Sequence, residues 1–329
     1  MVTVILPVHN GANYLASAIA SVLAQDCEFT LHVLDDGSTD ASAEIAQATG
    51  DARVHYSRNP AKFGLFKTLN RGFNEARTPL VRIWAHDDLM LPGSLGRFVD
   101  FAENNPSAGM IYCDFLAIDS VGKRTGDETK FHGQRVRTPN LATPDVSALL
   151  FFCFGCLPGN ISTVMLRRQA WLDTGGFLEG IQQAPDYDMW VRIGTLSDVG
   201  FLREKLIELR DHPLQLAKVG QKQMTTISEE FAVCQELRRQ LLPLITEREL
   251  VKFWKQNRGR QHAHWIVKAL LSREWDAARR GWSSLTEYNQ AWSQLAFWLV
   301  SGNGRLFTTR GESFFDRYQM PSLQKLSSS

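Results

Sequence analysis

The chain has 329 residues, 44% of them hydrophobic and 22% charged, a balance that fits a globular protein and excludes a disordered chain, a collagen-like repeat and a disulfide scaffold. Thirty-six Lys and Arg against 35 Asp and Glu leave a net charge of +1, which points to no partner class.

The first 120 residues alternate strand and helix patterns. Val2–Leu6 is a continuous apolar, β-branched run, the pattern of a buried strand. Helical spacing follows over Ala12–Gln25, then strand Phe29–Leu34, a short helix over Asp40–Thr49, strand Val54–Ser57 and helix Gly64–Ala76. Leu80–Trp84 reads as a fourth strand, Pro92–Asn104 as a helix opened by Pro at its first turn, and Gly109–Ile118 as a fifth strand. Asp119–Thr143 is polar and irregular, a long loop or small hairpin. Ile161–Leu166 reads as a strand, Arg168–Thr174 as a short helix stopped by Gly175-Gly176, Asp186–Thr195 as a helix, and Val199–Leu202 and Leu206–Leu209 as short strands. Beyond His212 the texture becomes helical, over Gln221–Leu242 and Thr246–Leu285, and rich in Trp; Ser327–Ser329 reads as a disordered tail.

This is the pattern of an α/β fold with a mostly parallel sheet covered by helices on both faces, plus a helical C-terminal extension. The expected division is 1–214 and 215–329. It coincides with a change of charge: 19 basic against 25 acidic residues up to Leu214, net −6, and 17 against 10 after it, net +7. A basic half fits an anionic surface or a solvated helical face equally well.

Five cysteines make no secreted framework, and Cys153 and Cys156, spaced C-x-x-C, sit in an apolar run and read as buried thiols. The N-terminus lacks the basic segment of a signal peptide, and no run reaches the roughly 18–20 apolar residues of a membrane span. The expected location is cytoplasmic, peripheral at the inner face of the membrane at most.

In open parallel sheets, ligands bind at the carboxyl ends of the strands, where this chain gathers Pro7–Asn10, Asp35–Ser38 and Asp87-Asp88. Asp36 lies in a Gly-Ser turn that suits a nucleotide-facing carboxylate and suits turn chemistry too. Asp87 and Asp88 are adjacent carboxylates that a hard divalent cation, Mg²⁺ or Mn²⁺, would reconcile; a helix cap is the other reading. Neither a G-x-G-x-x-G loop nor a G-x-x-x-x-G-K-[ST] loop is present, which argues against a dinucleotide oxidoreductase and a P-loop NTPase. A sugar nucleotidyltransferase would want a basic Gly-rich loop after the first strand, which Gly11-Ala-Asn13 is not.

Taken in order, Val4-Ile-Leu-Pro-Val-His-Asn-Gly-Ala-Asn-Tyr-Leu15, Val33-Leu-Asp-Asp-Gly-Ser-Thr-Asp40, Asn59…Gly64…Asn70, His86-Asp-Asp88 and Asp186-Tyr-Asp-Met-Trp-Val-Arg192 resemble family 2 of the glycosyltransferases, over about Met1 to Pro213. The resemblance implies the GT-A fold and inverting transfer of a sugar from a nucleotide-diphosphate donor to a hydroxyl of a glycan or lipid-linked glycan. It implies that Asp36 holds the donor base, that Pro7, His9 and Asn10 line the nucleotide with Gly64 and Asn70, and that Asp88 binds Mg²⁺ or Mn²⁺ with Asp87 beside it. It further implies that Asp186 is the catalytic base, that His212 of Arg210-Asp-His212 reaches the metal or diphosphate, and that Gly159 and Asn160 lie on the acceptor side. From the residues alone, the favoured readings are a helix N-cap for Asp186 and a structural histidine for His212; the resemblance reverses the first. Asp188 reads as structural and Trp190 as core. The chain departs from the family pattern at His9 (commonly Tyr), at Ala85 (the first carboxylate of the fuller motif) and at Pro185 (often Glu). A non-catalytic nucleotide-sugar-binding or scaffold protein is the rival reading. The Trp-rich extension is expected to pack as core, with peripheral membrane contact or a homodimer as its next use and no nucleic-acid role. His262 and His264, two apart on a helix, receive no metal role.

Overall fold

The computed structural model describes residues 1–126, 138–181, 184–212, 225–254 and 260–286. Its centre is a ten-stranded sheet. In chain order the strands are β1 (Val2–Val8), β2 (Phe29–Asp35), β3 (Val54–Arg58), β4 (Leu80–Ile83), β5 (Leu89–Met90), β6 (Ala108–Ile118), β7 (Arg124–Gly126), β8 (Leu141–Ala142), β9 (Val164–Arg167) and β10 (Asp198–Arg210). The order across the sheet is β3-β2-β1-β4-β9-β6-β10-β5, with β7 on β6 and β8 on β10. β3, β2, β1 and β4 pair in parallel, as do β6 and β10, while β9 runs antiparallel between β4 and β6.

Helices α1 (Leu15–Leu23), α2 (Ser42–Gln47), α3 (Leu65–Glu75), α4 (Ser94–Asn104), α5 (Pro144–Phe154), α6 (Arg168–Thr174) and α7 (Pro185–Gly194) cover the sheet. Alternate side chains of each strand feed two cores. Val4, Leu6, Val33, Trp84 and Cys113 pack with α1 and α4 on one face; Ile5, Leu34, Val81, Tyr112 and Phe201 pack with α3, α5, α6 and α7 on the other. Gly72 lets α3 settle on the sheet: a Cβ there would sit 2.7 Å from both Ile5 Cγ2 and Leu34 Cδ1.

The extension supplies α8 (Thr225–Leu241), α9 (Glu247–Trp254), α10 (Arg260–Leu271) and α11 (Trp275–Thr286). Phe231, Leu237 and Trp254 join the same core as Phe151, Tyr187 and Trp190. Trp190 is fully buried, as expected of a core residue, and meets Phe177 edge to face with ring centroids 5.9 Å apart.

Several elements differ from the reading of the sequence. The apolar run from Val146 begins as helix α5, buried from Val146 through Cys153, so no amphipathic stripe announces it. The two short strands of 199–209 are one strand, β10, with register shifts between Leu202 and Ile207. The strand expected over Ile161–Leu166 begins as a 3₁₀ turn, Ile161–Thr163, before β9. The helix expected over Thr246–Leu285 divides into α9, α10 and α11. Residues 221–224, the boundary at 214/215, Trp292, Trp298 and the tail lie outside the described residues. Among the described residues no helix is long and apolar enough to cross a membrane.

Candidate active site

Because β1, β2, β3, β4, β6 and β10 point the same way, their carboxyl ends deliver His9, Asp36, Asn59, the 84–88 loop, Asp119 and His212 to one edge of the sheet. Pro7 is tolerated in a central strand because β1 pairs with β4 only as far as Ile5.

The first cluster closes around Asp36. Its Oδ1 accepts from the Asn59 side chain at 2.8 Å and the Phe63 N–H at 2.6 Å, and its Oδ2 accepts from the Gly64 N–H at 2.8 Å. Burial opposes ionisation, but these donors win and hold the carboxyl below its usual range. Gly64 enters α3 at φ 92°, which a side chain resists. His9 Nδ1 donates to the Asp36 carbonyl at 3.0 Å, and Asn10, at φ 54°, accepts from the Thr39 N–H at 2.8 Å while its own N–H donates to Ser38 Oγ. Hydrogen bonds therefore connect His9, Asp36 and Gly64 and tie Asn10 to the 38–39 turn, while Pro7 lies two residues before His9 on β1, in register with Leu34. Asn70 does not join this set by hydrogen bonding: its amide binds both the N–H and the carbonyl of Phe177, tying α3 to the segment before α7.

The second cluster surrounds the paired carboxylates. His212 Nε2 lies 2.8 Å from Asp87 Oδ2. Asp88 is 1% exposed; its Oδ1 accepts from the Arg210 N–H at 2.9 Å, while Oδ2 is sealed from solvent without a hydrogen bond. Burial, then the Asp87 charge, push its pKa up to about 8, against the pull of the Ser162 hydroxyl and Arg210. Arg210 donates from Nε to the Asp87 carbonyl at 2.8 Å and from Nη1 to the carbonyls of Asp119 and Ser120, and its guanidinium lies 4.6 Å from the centroid of the Tyr14 ring. Below the cluster, fully buried Arg82 donates to the Ser162 carbonyl, and burial lowers its pKa to about 10.

The third cluster is the loop from Cys156 to Thr163. Gly159 adopts φ 69° and donates to the Cys156 carbonyl; Asn160 caps the 3₁₀ turn by accepting from the Ser162 N–H at 2.8 Å. Ser162 Oγ in turn accepts from the Ala85 N–H at 2.9 Å. At the other end of this loop, Cys156 Sγ lies 3.9 Å from Asp186 Oδ2 in the first turn of α7. One loop thus carries contacts to both the 85–88 segment, through the Ala85 N–H, and Asp186. Asp186 Oδ1 accepts from the Tyr187 N–H, and burial raises the carboxyl above its usual range. Asp188 is structural: it pairs with Arg192 one turn on, at 2.6 Å. Cys153 is buried as expected, whereas Cys156 is only half-buried. His262 bonds Glu230 at 3.1 Å within the helical extension.

Sequence reasoning passed over Tyr14, Ser162 and the side chain of Arg210. The Arg of Arg210-Asp-His212 was the one available signal, since a strand-end arginine beside two carboxylates is seldom idle.

The family comparison decides what this edge belongs to. A family model described as glycosyl transferase family 2 matches residues 3–164. Residues 3–164 are a glycosyl transferase family 2 domain. The chain is 28% identical over 259 residues to an uncharacterized glycosyltransferase of Rickettsia conorii, covering 77% of this chain but only 40% of that one. Its fold is GT-A, matching S. aureus TarS 1–349 in complex with UDP-GlcNAc (TM-score 0.58, 14% identity, 94% of this chain and 95% of that one). The mannosyltransferase PcManGT from Pyrobaculum calidifontis, in complex with GDP-Man and Mn²⁺, matches with TM-score 0.55 and 17% identity over 99% of this chain and 83% of that one. Asp186 and His212 lie beyond the matched family segment.

Proposed function

We propose that this chain is an inverting glycosyltransferase that moves a sugar from a nucleotide-diphosphate donor to a hydroxyl of a glycan or lipid-linked glycan. The observation that carries the reading is the convergence of Asp36, Asp87, Asp88 and His212 at the carboxyl edge of the sheet, with one loop joining that edge to Asp186. In this reading Pro7, His9, Asn10, Asp36 and Gly64 form the nucleotide wall, Asn70 stands outside it and ties α3 to Phe177, and Gly159 and Asn160 shape the acceptor side.

Among the described residues no group of three or more His, Cys, Asp or Glu forms a complete metal cage. A partial set is what a Mg²⁺ or Mn²⁺ site of this kind needs, because such ions commonly take one or two carboxylates and complete their shell with substrate phosphates. The unpartnered, buried Asp88 Oδ2 and the adjacent Asp87–His212 pair fit that donor set. When bound, the ion supplies Lewis-acid stabilisation of the leaving diphosphate. PcManGT carries both GDP-Man and Mn²⁺, and TarS carries UDP-GlcNAc.

Asp186 supplies the base. An alcohol is a poor nucleophile until a positioned carboxylate takes its proton, and a carboxyl raised above its usual range holds that proton better than an exposed one. In the same reading the region 215–329, with its net charge of +7, serves peripheral membrane contact or a homodimer.

The test is release of nucleotide from a panel of UDP- and GDP-sugars by the purified full chain, with Mn²⁺, Mg²⁺ or chelator. Metal-dependent release that is lost in Asp88→Ala and Asp186→Ala supports the proposal. Turnover preserved in both folded variants overturns it. Donor binding without release by the wild type points instead to the non-catalytic binding protein.

A further inference from the structure

Tyr14 opens α1 and is half-buried. Its backbone N–H donates to the Gly11 carbonyl at 3.0 Å, which anchors its backbone to the loop that follows β1. Gly11 itself is pressed against the 84–88 loop: a Cβ there would lie 2.4 Å from His86 Cδ2. The Tyr14 ring carries two groups from the far end of the chain. The Arg210 guanidinium sits over its face at 4.6 Å, and the His212 ring packs against it with centroids 5.6 Å apart and planes tilted by 40°. Both groups are also held from the 84–120 side: Arg210 by the carbonyls of Asp87, Asp119 and Ser120, His212 by Asp87.

We propose that Tyr14 is a positioning residue for the donor diphosphate: its ring is the platform that holds Arg210 and His212 in register with the β1 loop. The physical case is that a guanidinium is planar and stacks on an aromatic face, which fixes its plane as carbonyl acceptors alone do not. The β1 loop carries the nucleoside wall, and β10 ends at the paired carboxylates. Tyr14 is the side chain that spans the two. Its effect should therefore be felt by the diphosphate and not by the nucleoside. The hydroxyl plays no part; the ring face does.

This inference rests on the glycosyltransferase reading, and binding measurements separate the two. Calorimetry with UDP and with GDP in Mn²⁺ establishes which nucleotide the wild type binds; binding of neither overturns the glycosyltransferase reading and this inference with it. With the nucleotide that binds, Tyr14→Leu is expected to lower nucleoside-diphosphate affinity about tenfold. It should leave the affinity of the free nucleoside, measured by saturation-transfer NMR, within about twofold. Tyr14→Phe keeps the ring and is expected to retain the affinity of the wild type. Arg210→Lys keeps the charge without the flat face. It reads the same contact from the opposite side, with an expected loss of similar size in the Tyr14 protein and no further loss in the Tyr14→Leu protein. Wild-type affinity in Tyr14→Leu or in Arg210→Lys overturns the platform role. So does an equal loss in Tyr14→Phe, which would assign the effect to the hydroxyl, or an equal loss of nucleoside affinity.

Discussion

His212 and Asp87 meet Nε2 to Oδ2 at 2.8 Å, joining the end of β10 to the loop after β4. That contact leaves Asp88, one residue on, as the carboxylate whose second oxygen has no hydrogen bond. Asp88→Asn keeps the side chain's shape and puts an amide, which cannot become a carboxylate ligand, in place of the carboxyl. We expect sugar release to fall by about two orders of magnitude or more, in the range seen when a stabiliser of developing charge is lost. The melting-temperature rise produced by nucleoside diphosphate with Mn²⁺, read by differential scanning fluorimetry, should disappear in the same variant.

Asp186 gives a prediction with a sign. Its carboxyl is raised by burial, so the folded state binds this proton more tightly than the unfolded chain does. Ionising it therefore costs stability at any pH above its folded pKa, and that cost vanishes below the ordinary carboxylate range. Asp186→Asn should melt higher than the wild type at pH 7–8, with the gap closing toward pH 4. It should also lose about 100-fold or more in transfer. Thermal melts across that pH range check the first expectation, and donor turnover checks the second.

Asp36 works in the opposite sense. Its carboxyl is lowered because Asn59, Phe63 and Gly64 donate to it despite the burial. The stability it contributes is present above the unfolded pKa and is lost as pH falls through the folded one. Asp36→Asn turns an acceptor into a donor among donors and should cost about 2 kcal/mol at pH 7. Urea titrations at pH 7 and pH 3 should show that difference shrinking in acid.

Gly72→Ala tests the seat of α3. The added methyl would come within 2.7 Å of Ile5 Cγ2 and Leu34 Cδ1, both in the core. Overpacking of this kind costs about 1–3 kcal/mol. A chemical melt that reproduces the wild-type midpoint would show that the helix can shift without penalty.

Much of this was legible in the sequence because parallel buried strands read as unbroken apolar runs and their carboxyl ends carry the polar motifs. Val2–Leu6, Leu80–Ile83 and the Asp36 and Asp88 turns follow that logic. Direction is not written in such a run: Val164–Arg167 is as apolar as its neighbours, yet β9 lies antiparallel between them. The first helix beyond the polar 119–143 stretch was hidden for a related reason, since a helix buried on every side from Val146 to Cys153 has no period to detect. In the candidate site, motif order singled out Asp36, Asp88 and His212, which lie at one edge of the sheet, but not Tyr14, because contacts between a ring near the start of the chain and a guanidinium at residue 210 leave no local spacing. Asn70 shows the reverse: a residue in a recognised motif position whose amide is spent on Phe177.

Glu229 of α8 accepts from the Ala184 N–H at 2.8 Å, and Cys234 of the same helix lies 3.8 Å from the Tyr187 hydroxyl. The two contacts bracket Asp186 from a part of the chain that the family match does not reach. The footing of α7 is thus shared with the extension: a substitution in α8 that moved Glu229 or Cys234 would shift the first turn of α7 and carry the Asp186 carboxyl with it.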